Sequence, residues 1–243
     1  NKNFSREIDH SYFRNDLNID IKVKLFLNNF FDKLKIIKNK TPEVIFIRHA
    51  KTKLNYKKVF SGINNEDVID KAKKINRSFD LVISSPLKRA VQTAKMFKTN
   101  KIIKNKFLRE IDYGKAEGIN IDELSKFYPN IIKKWRKKID TRFPNGENNK
   151  DVNIRVKKFI RQLLLLQRKN SFKKCLVVSH NVFLRCLIGH YYKVKKEDWF
   201  KLKINHLKYL KFIILNGNLI PNISRFELKK IFNYQINELS SSN

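Results

Sequence analysis

Val44-Ile45-Phe46-Ile47-Arg48-His49-Ala50-Lys51-Thr52 is the stretch on which the fold turns. Four β-branched or aromatic residues follow closely on Pro42. Such an uninterrupted apolar run predicts a central parallel strand covered on both faces. Arg48 and His49 then stand at its carboxyl end, where open α/β sheets bind ligands. A cation beside an imidazole suits an anion, with the imidazole as nucleophile or base.

Two further apolar runs end the same way. Asp80-Leu81-Val82-Ile83 runs into Ser84-Ser85, and Cys175-Leu176-Val177-Val178 runs into Ser179-His180. Helical patterns separate the runs. A short helix is expected over Glu66–Ile75, and another from Pro86 to about Phe97, with Ser85 as its cap. Lys101–Leu108 reads as a third strand. Ile121–Lys137 reads as a helical insert broken near Pro129, and Asn148–Leu166 as a long amphipathic helix. Helices are also expected over Val182–Tyr192 and Lys195–Leu202. A terminal hairpin is expected from Tyr209–Leu215 and Leu219–Ser224, turning at Asn216-Gly217-Asn218. Alternation of this kind predicts a three-layer α/β/α sandwich around a mainly parallel sheet.

Residues 1–40 read as an extension, with apolar residues at helical spacing over Ile21–Ile37. They are expected to pack on the domain formed by 41–243, or to link it to a fused upstream domain. A chain of 243 residues is long enough for a proper core.

Lys and Arg number 54 against 22 Asp and Glu, a formal net charge of +32. Charge on that scale raises the question of nucleic acid or an anionic surface. The lysines, however, are spread along the whole chain, and Asn, Ile and Phe are abundant as well, which points to a compositional bias. No recognition motif or aromatic-basic platform accompanies the charge, so no nucleic-acid partner is expected. The field would still draw in phosphorylated substrates. No apolar run is long enough to span a bilayer and no secretory leader is apparent, so no membrane partner is expected. Cys175 and Cys186 read as buried free thiols, in keeping with a cytoplasmic location.

If the three strands lie side by side, Arg48, His49, Arg89 and His180 converge on one rim. Two arginines and two histidines would repel each other there unless an anion sat among them, and arginine forks match phosphate oxygens. Glu110, directly after a strand, is the candidate acid for a leaving oxygen. No metal-ligand spacing is present and no cofactor is expected. Positioned cations and a histidine suffice for phosphoryl transfer.

Five motifs carry a resemblance to the histidine phosphatase superfamily, the phosphoglycerate mutase-like family. Arg48-His49-Ala50-Lys51-Thr52-Lys53-Leu54-Asn55 is similar to its opening Arg-His-Gly-x-Thr/Ser-x-x-Asn. Ser84-Ser85-Pro86-Leu87-Lys88-Arg89-Ala90-Val91-Gln92-Thr93-Ala94 matches the second motif nearly letter for letter. Leu108-Arg109-Glu110 matches Leu-x-Glu, and Pro144-Asn145-Gly146-Glu147 matches Pro-x-Gly-Glu, with Asn148 where Ser is usual. Ser179-His180-Asn181-Val182-Phe183-Leu184-Arg185 corresponds to Ser-His-Gly-Gly-x-x-Arg. The likeness covers Val44 to Ser224.

The resemblance implies that His49 becomes phosphorylated, and that Arg48, Arg89 and His180 bind the phosphoryl group. It implies that Glu110 protonates the leaving oxygen and then activates water. It places Asn55, Ser61, Gly62, Tyr113, Asn181 and Val182 against the substrate, the last two through their backbone. The family's usual Asp-x-Pro-Leu-Thr after Gly62 is replaced by Ile63-Asn64-Asn65-Glu66-Asp67. The insert before Pro144 lacks the paired arginines of the mutases, so the expected activity is hydrolysis of a small phosphomonoester. Ser179–Tyr192 and Glu110-Ile111-Asp112 resemble the fructose-2,6-bisphosphate phosphatase branch, which suggests a sugar phosphate. A mutase-type phosphotransferase and a non-catalytic phosphate-binding module are the alternatives. His206 matches no motif and reads as structural. Arg185 reads as a structural partner behind the pocket, and Glu147 as a pocket-liner or a helix cap.

Overall fold

The computed structural model describes residues 41–232, except 138, 195–197, 200, 201 and 203. The expected extension over 1–40 and most of the segment at 195–202 lie outside the described residues. The central sheet takes strand β1 (Glu43–Arg48), β3 (Leu81–Ser84), β5 (Ile102–Lys104), β6 (Lys174–Ser179), β7 (Leu210–Leu215) and β8 (Asn218–Pro221) in the order β5-β3-β6-β1-β7-β8. The β5, β3, β6 and β1 strands pair in parallel. The terminal hairpin adds β7 and β8 antiparallel at one edge, with Gly217 in the left-handed turn at φ 73°.

Side chains alternate across a strand, so each strand serves two cores. Val44, Phe46, Leu81, Ile83, Cys175, Val177 and Phe212 face one way. They pack on helix α5 (Asn149–Asn170) and helix α6 (Asn181–Tyr191) through residues such as Val156, Phe159, Phe183 and Leu187. Ile45, Ile47, Val82, Leu176 and Val178 face the other way, against Ala90 and Ala94 of helix α2 (Lys88–Ala94), Met96 and Phe97. The result is the expected three-layer arrangement. A helix hairpin, α3 (Ile121–Phe127) and α4 (Pro129–Arg136), forms the insert, and Pro129 opens α4 at its first turn. Cys175 and Cys186 are buried free thiols. Among the described residues no helix is long and apolar enough to cross a membrane.

One expected element is corrected. Glu66–Ile75 is not helical. The segment is an irregular, bent loop in which Val68 bridges Thr52, and Ile75 begins strand β2 (Ile75–Phe79), which pairs in parallel with β4 (Phe97–Thr99). Tertiary contacts override the local pattern. The backbone N–H of Val68 donates to Gln92 Oε1, and the Asp67 carboxylate accepts from Gln92 and pairs with Lys71 and Lys88. The expected strand over Lys101–Leu108 ends at Lys104. Asn105 then caps a 3-10 turn over Lys106–Leu108 by accepting from Phe107 N at 2.9 Å. That turn delivers the chain to Glu110.

Candidate active site

Register sets the site. Arg48 stands opposite Ser179 in the β1–β6 pair, and Ser84 stands opposite Val178 in the β3–β6 pair. The three polar strand ends therefore lie side by side. His49 N donates to Ser179 O at 3.0 Å and Ser85 N to Val178 O at 2.9 Å, which extends the ladder past the last strand residues.

His49 is 2% exposed. Its Nδ1 lies 2.7 Å from the Ala50 carbonyl oxygen. A carbonyl only accepts, so Nδ1 carries the proton and the lone pair is left on Nε2. That nitrogen accepts from Arg89 Nε at 3.2 Å. Ala50 is pinned in turn, its N–H donating to Thr93 Oγ1 at 2.9 Å. Burial and the adjoining Arg89 and Arg48 hold the His49 imidazole well below its ordinary pKa. The ring is therefore neutral near pH 7. His180 is depressed likewise, by burial first and then by Arg89 and His49. The two rings lie 5.1 Å apart. His180 Nε2 bonds the Ser85 hydroxyl at 2.7 Å. Its Nδ1 and the Arg48 Nε are both buried and lack a hydrogen-bond partner among the described residues. Burial lowers the Arg48 guanidinium to about 10, still fully charged at neutral pH. A buried donor without a partner is costly; an oxyanion would satisfy Arg48 Nε, and His180 Nδ1 as well when the Ser85 hydroxyl donates to His180 Nε2 and leaves the proton on Nδ1.

Arg89 is fully buried and does more than face the anion site. Besides His49 it donates to Asn64 O at 2.8 Å, to Gly62 O at 2.6 Å and to Ser61 O at 3.4 Å. Glu66 lies 3.9 Å from it and accepts from the Ser61 hydroxyl. A guanidinium has five N–H donors, so most are spent on the 61–66 loop. Gly62 is there for space. A Cβ on it would stand 2.3 Å from Ile111 O. Its N–H donates to Glu117 Oε1 at 2.7 Å. Ser61 and Gly62 thus shape the loop that Arg89 holds.

Glu110 is 5% exposed and seated by main chain. Its Oε1 accepts from Ile111 N and Val182 N, both at 3.0 Å, and its Oε2 accepts from Asn181 N at 2.9 Å. The Asn181 and Val182 backbone was expected at the phosphate, but the first N–H groups of α6 go to the acid. The cause is proximity: the turn after β5 brings Glu110 against the start of that helix.

A family model, the histidine phosphatase superfamily (branch 1), matches residues 44–218. The chain belongs to this superfamily. Members with curated names include a 2,3-bisphosphoglycerate-dependent phosphoglycerate mutase of Methylorubrum extorquens strain PA1. It is 29% identical over 163 residues, 60% of this chain and 76% of the relative. Phosphoserine phosphatase 1 of Hydrogenobacter thermophilus is 28% identical over 158 residues, 60% of this chain and 74% of the relative. Among solved structures, a putative alpha-ribazole-5'-P phosphatase from Escherichia coli superposes with a TM-score of 0.63. It is 22% identical and covers 76% of this chain and 97% of its own. The superfamily thus includes phosphatases and mutases.

The remaining members of this histidine phosphatase's candidate site fall into two groups. Tyr113 packs its ring on Phe60 at 5.0 Å and Phe143 at 4.8 Å, and burial raises its phenol pKa. Asn55 spends its Oδ1 on Thr52 N at 3.1 Å, as a helix cap, which leaves its amide NH₂ as the group able to donate. Two residues missed by the sequence reading also join. His206, read as structural, puts its ring 5.3 Å from that of His49 and its Nδ1 2.7 Å from the His49 carbonyl oxygen. Arg155 of α5 forks onto Glu147 at 3.0 and 2.7 Å and donates to the carbonyls of Phe107, Arg109 and Glu110. Glu147, expected to line the pocket or cap a helix, instead buttresses the acid's turn. Its Oε2 also accepts from Asp112 N at 3.0 Å. No motif in the sequence announced Arg155 or His206, because each reaches the site through a backbone carbonyl.

Proposed function

We propose that the chain is a phosphatase that hydrolyses a small phosphomonoester through a phosphohistidine at His49, without a metal ion. The observation that supports this most is the setting of His49 Nε2. It is an unprotonated nitrogen beside Arg89, in a site where the Arg48 Nε donor and the buried His180 Nδ1 both lack a partner among the described residues. A phosphoryl group bound there would take the Arg89 Nε–H onto one of its oxygens, freeing the Nε2 lone pair for phosphorus.

In the first step Nε2 bonds to phosphorus as the ester P–O bond breaks, and Glu110 gives its proton to the departing alcohol oxygen. Both carboxylate oxygens take backbone donors, Oε1 from Ile111 and Val182 and Oε2 from Asn181 at 2.9 Å and Val182 at 3.3 Å, and each keeps a lone pair able to carry that proton. Arg48, Arg89 and His180 balance the charge on the equatorial oxygens. In the second step Glu110 takes a proton from water. The water oxygen bonds to phosphorus, the N–P bond breaks, and inorganic phosphate leaves with His49 neutral again. The described lining of the adjoining cavity includes one cation, Arg185, few for the multiply charged substrates a mutase must hold, which favours hydrolysis.

The test is hydrolysis of p-nitrophenyl phosphate in the presence of EDTA, with acid-labile phosphate on His49 trapped by rapid quench. Activity that persists in EDTA and vanishes with His49→Ala supports the reading. Activity untouched by the substitution, or lost to EDTA and restored by a divalent metal, removes it.

A further inference from the structure

A cavity of about 390 Å³ lies beside Glu110, within the range of about 300–1,000 Å³ typical of small-molecule sites. Ile111 and Val182, whose backbone N–H groups seat the acid, also line it. The wall between phosphate site and cavity therefore carries the group that protonates the leaving oxygen. Whatever is bonded to that oxygen extends into the cavity.

The cavity is walled by rings. Phe60, Tyr113, Trp135 and Phe143 form one cluster, with centroids 4.8 to 6.3 Å apart. Several polar groups of the lining are engaged elsewhere, although Tyr113, Asn149 and the guanidinium end of Arg185 also belong to it. Asp140 accepts from the N–H groups of Asn149 and Lys150, both at 3.0 Å. The Asn148 side chain caps α5 through Asp151 N. Thr141 Oγ1 donates to Ile139 O, and Arg185 Nε donates to Leu202 O. A sugar or glycerate would set most of its hydroxyls against the ring-lined wall, with only Tyr113, Asn149 and Arg185 to receive a few of them, at a desolvation cost for the rest. An aromatic group would instead find offset and edge-to-face ring contacts.

Resting on the phosphatase reading above, we infer that the substrate is a phosphomonoester of an alcohol bearing an aromatic or comparably bulky apolar group, seated in the Phe60–Tyr113–Trp135–Phe143 cage.

The experiment compares kcat/KM for 2-phenylethyl phosphate with that for glycerol 3-phosphate and ribose 5-phosphate. All three are primary alkyl esters, so leaving-group acidity does not decide the result. The expected preference for the phenylethyl ester is about tenfold or more, as one well-filled apolar pocket gives. Trp135→Ala should bring the ratio down towards one, chiefly through KM, and Trp135→Phe should restore part of it. Trp135 also supports the core, so Ile121→Glu serves as a second variant. Ile121 lines the cavity and is 49% exposed, and a charge there should lower the ratio without loss of fold. Equal or better turnover of the polar esters, still dependent on His49, overturns this inference alone. If no ester is turned over and His49 takes up no phosphate, the phosphatase reading falls and this inference with it.

Discussion

The His49 carbonyl accepts a hydrogen bond from His206 Nδ1 at 2.7 Å, and the two imidazoles meet edge to face at 69°. The residue proposed as the nucleophile is thus held at its ring, through Ala50, and at its main chain, through His206. Replacing His206 with Ala should lower kcat by about tenfold with little change in KM, since small losses of alignment are costly in rate. His206→Asn, whose amide can place an N–H where Nδ1 stands, should recover most of it. Steady-state kinetics on the three proteins decide this; an unchanged kcat for the alanine variant would sink it.

Acid should weaken the fold through the same histidines. His49 and His180 lie well below their ordinary values, and His206 is lowered to about 4, by burial first and Arg48 next. Each folded value is below the unfolded one, so below about pH 6.5 the unfolded chain binds protons that the folded chain does not. The stability they contribute is intact above pH 6.5 and is lost as pH falls. The slope is at most about 1.4 kcal/mol per pH unit for each histidine, less for the part-exposed His206. Urea unfolding at pH 7.5, 6.0 and 5.0 measures it. A flat profile would contradict the neutral, buried assignment.

An oxyanion should raise the melting temperature. Phosphate at a hundredfold excess over its Kd stabilises a fold by about 2.7 kcal/mol. The gain should shrink sharply in Arg48→Gln, which removes one of the two unpartnered buried nitrogens. Thermal melts with phosphate or vanadate, at constant ionic strength, check both statements.

Arg89→Lys should cost both stability and activity. An ammonium cannot reach the carbonyls of Ser61, Gly62 and Asn64 together as the fork does. Leaving buried carbonyls unpaired costs about 1–3 kcal/mol each. Limited proteolysis should show new cleavage between residues 61 and 67; a resistant loop would show that Arg89 does not anchor it.

Arg155→Gln should lower kcat although the residue stands behind the acid. Its fork joins Glu147 to the carbonyls at 107, 109 and 110. Lysine, with a point charge in place of a fork, should not rescue it. Full rescue by Arg155→Lys would show that charge alone matters there.

The strand ends were legible because apolar runs closing on Arg48-His49, Ser84-Ser85 and Ser179-His180 mark a parallel sheet, and a parallel sheet aligns its carboxyl ends. Glu110 could be named from its place after a strand, but its partners could not. Hydrogen bonds from the N–H groups of Ile111, Asn181 and Val182 involve no side chain of those residues and leave no trace in residue type. Glu66–Ile75 misled because Val68, Ile69, Ala72 and Ile75 fall at spacings that suit a helix, while Gln92, Lys71 and Lys88 fix the segment as an irregular loop. Arg155 looked like one more cation in a chain crowded with them, and His206 sits 157 residues from the carbonyl it holds.

The seating of Glu110 on main-chain amides separates two things that many enzymes tie together. Backbone N–H groups are the same whatever side chain they carry, proline excepted. Positions 111 and 182 can therefore be re-cut to suit a different alcohol while the proton donor stays where it is. A superfamily member built this way can change its diet by substitution at the cavity wall while the carboxylate at 110 keeps its seat.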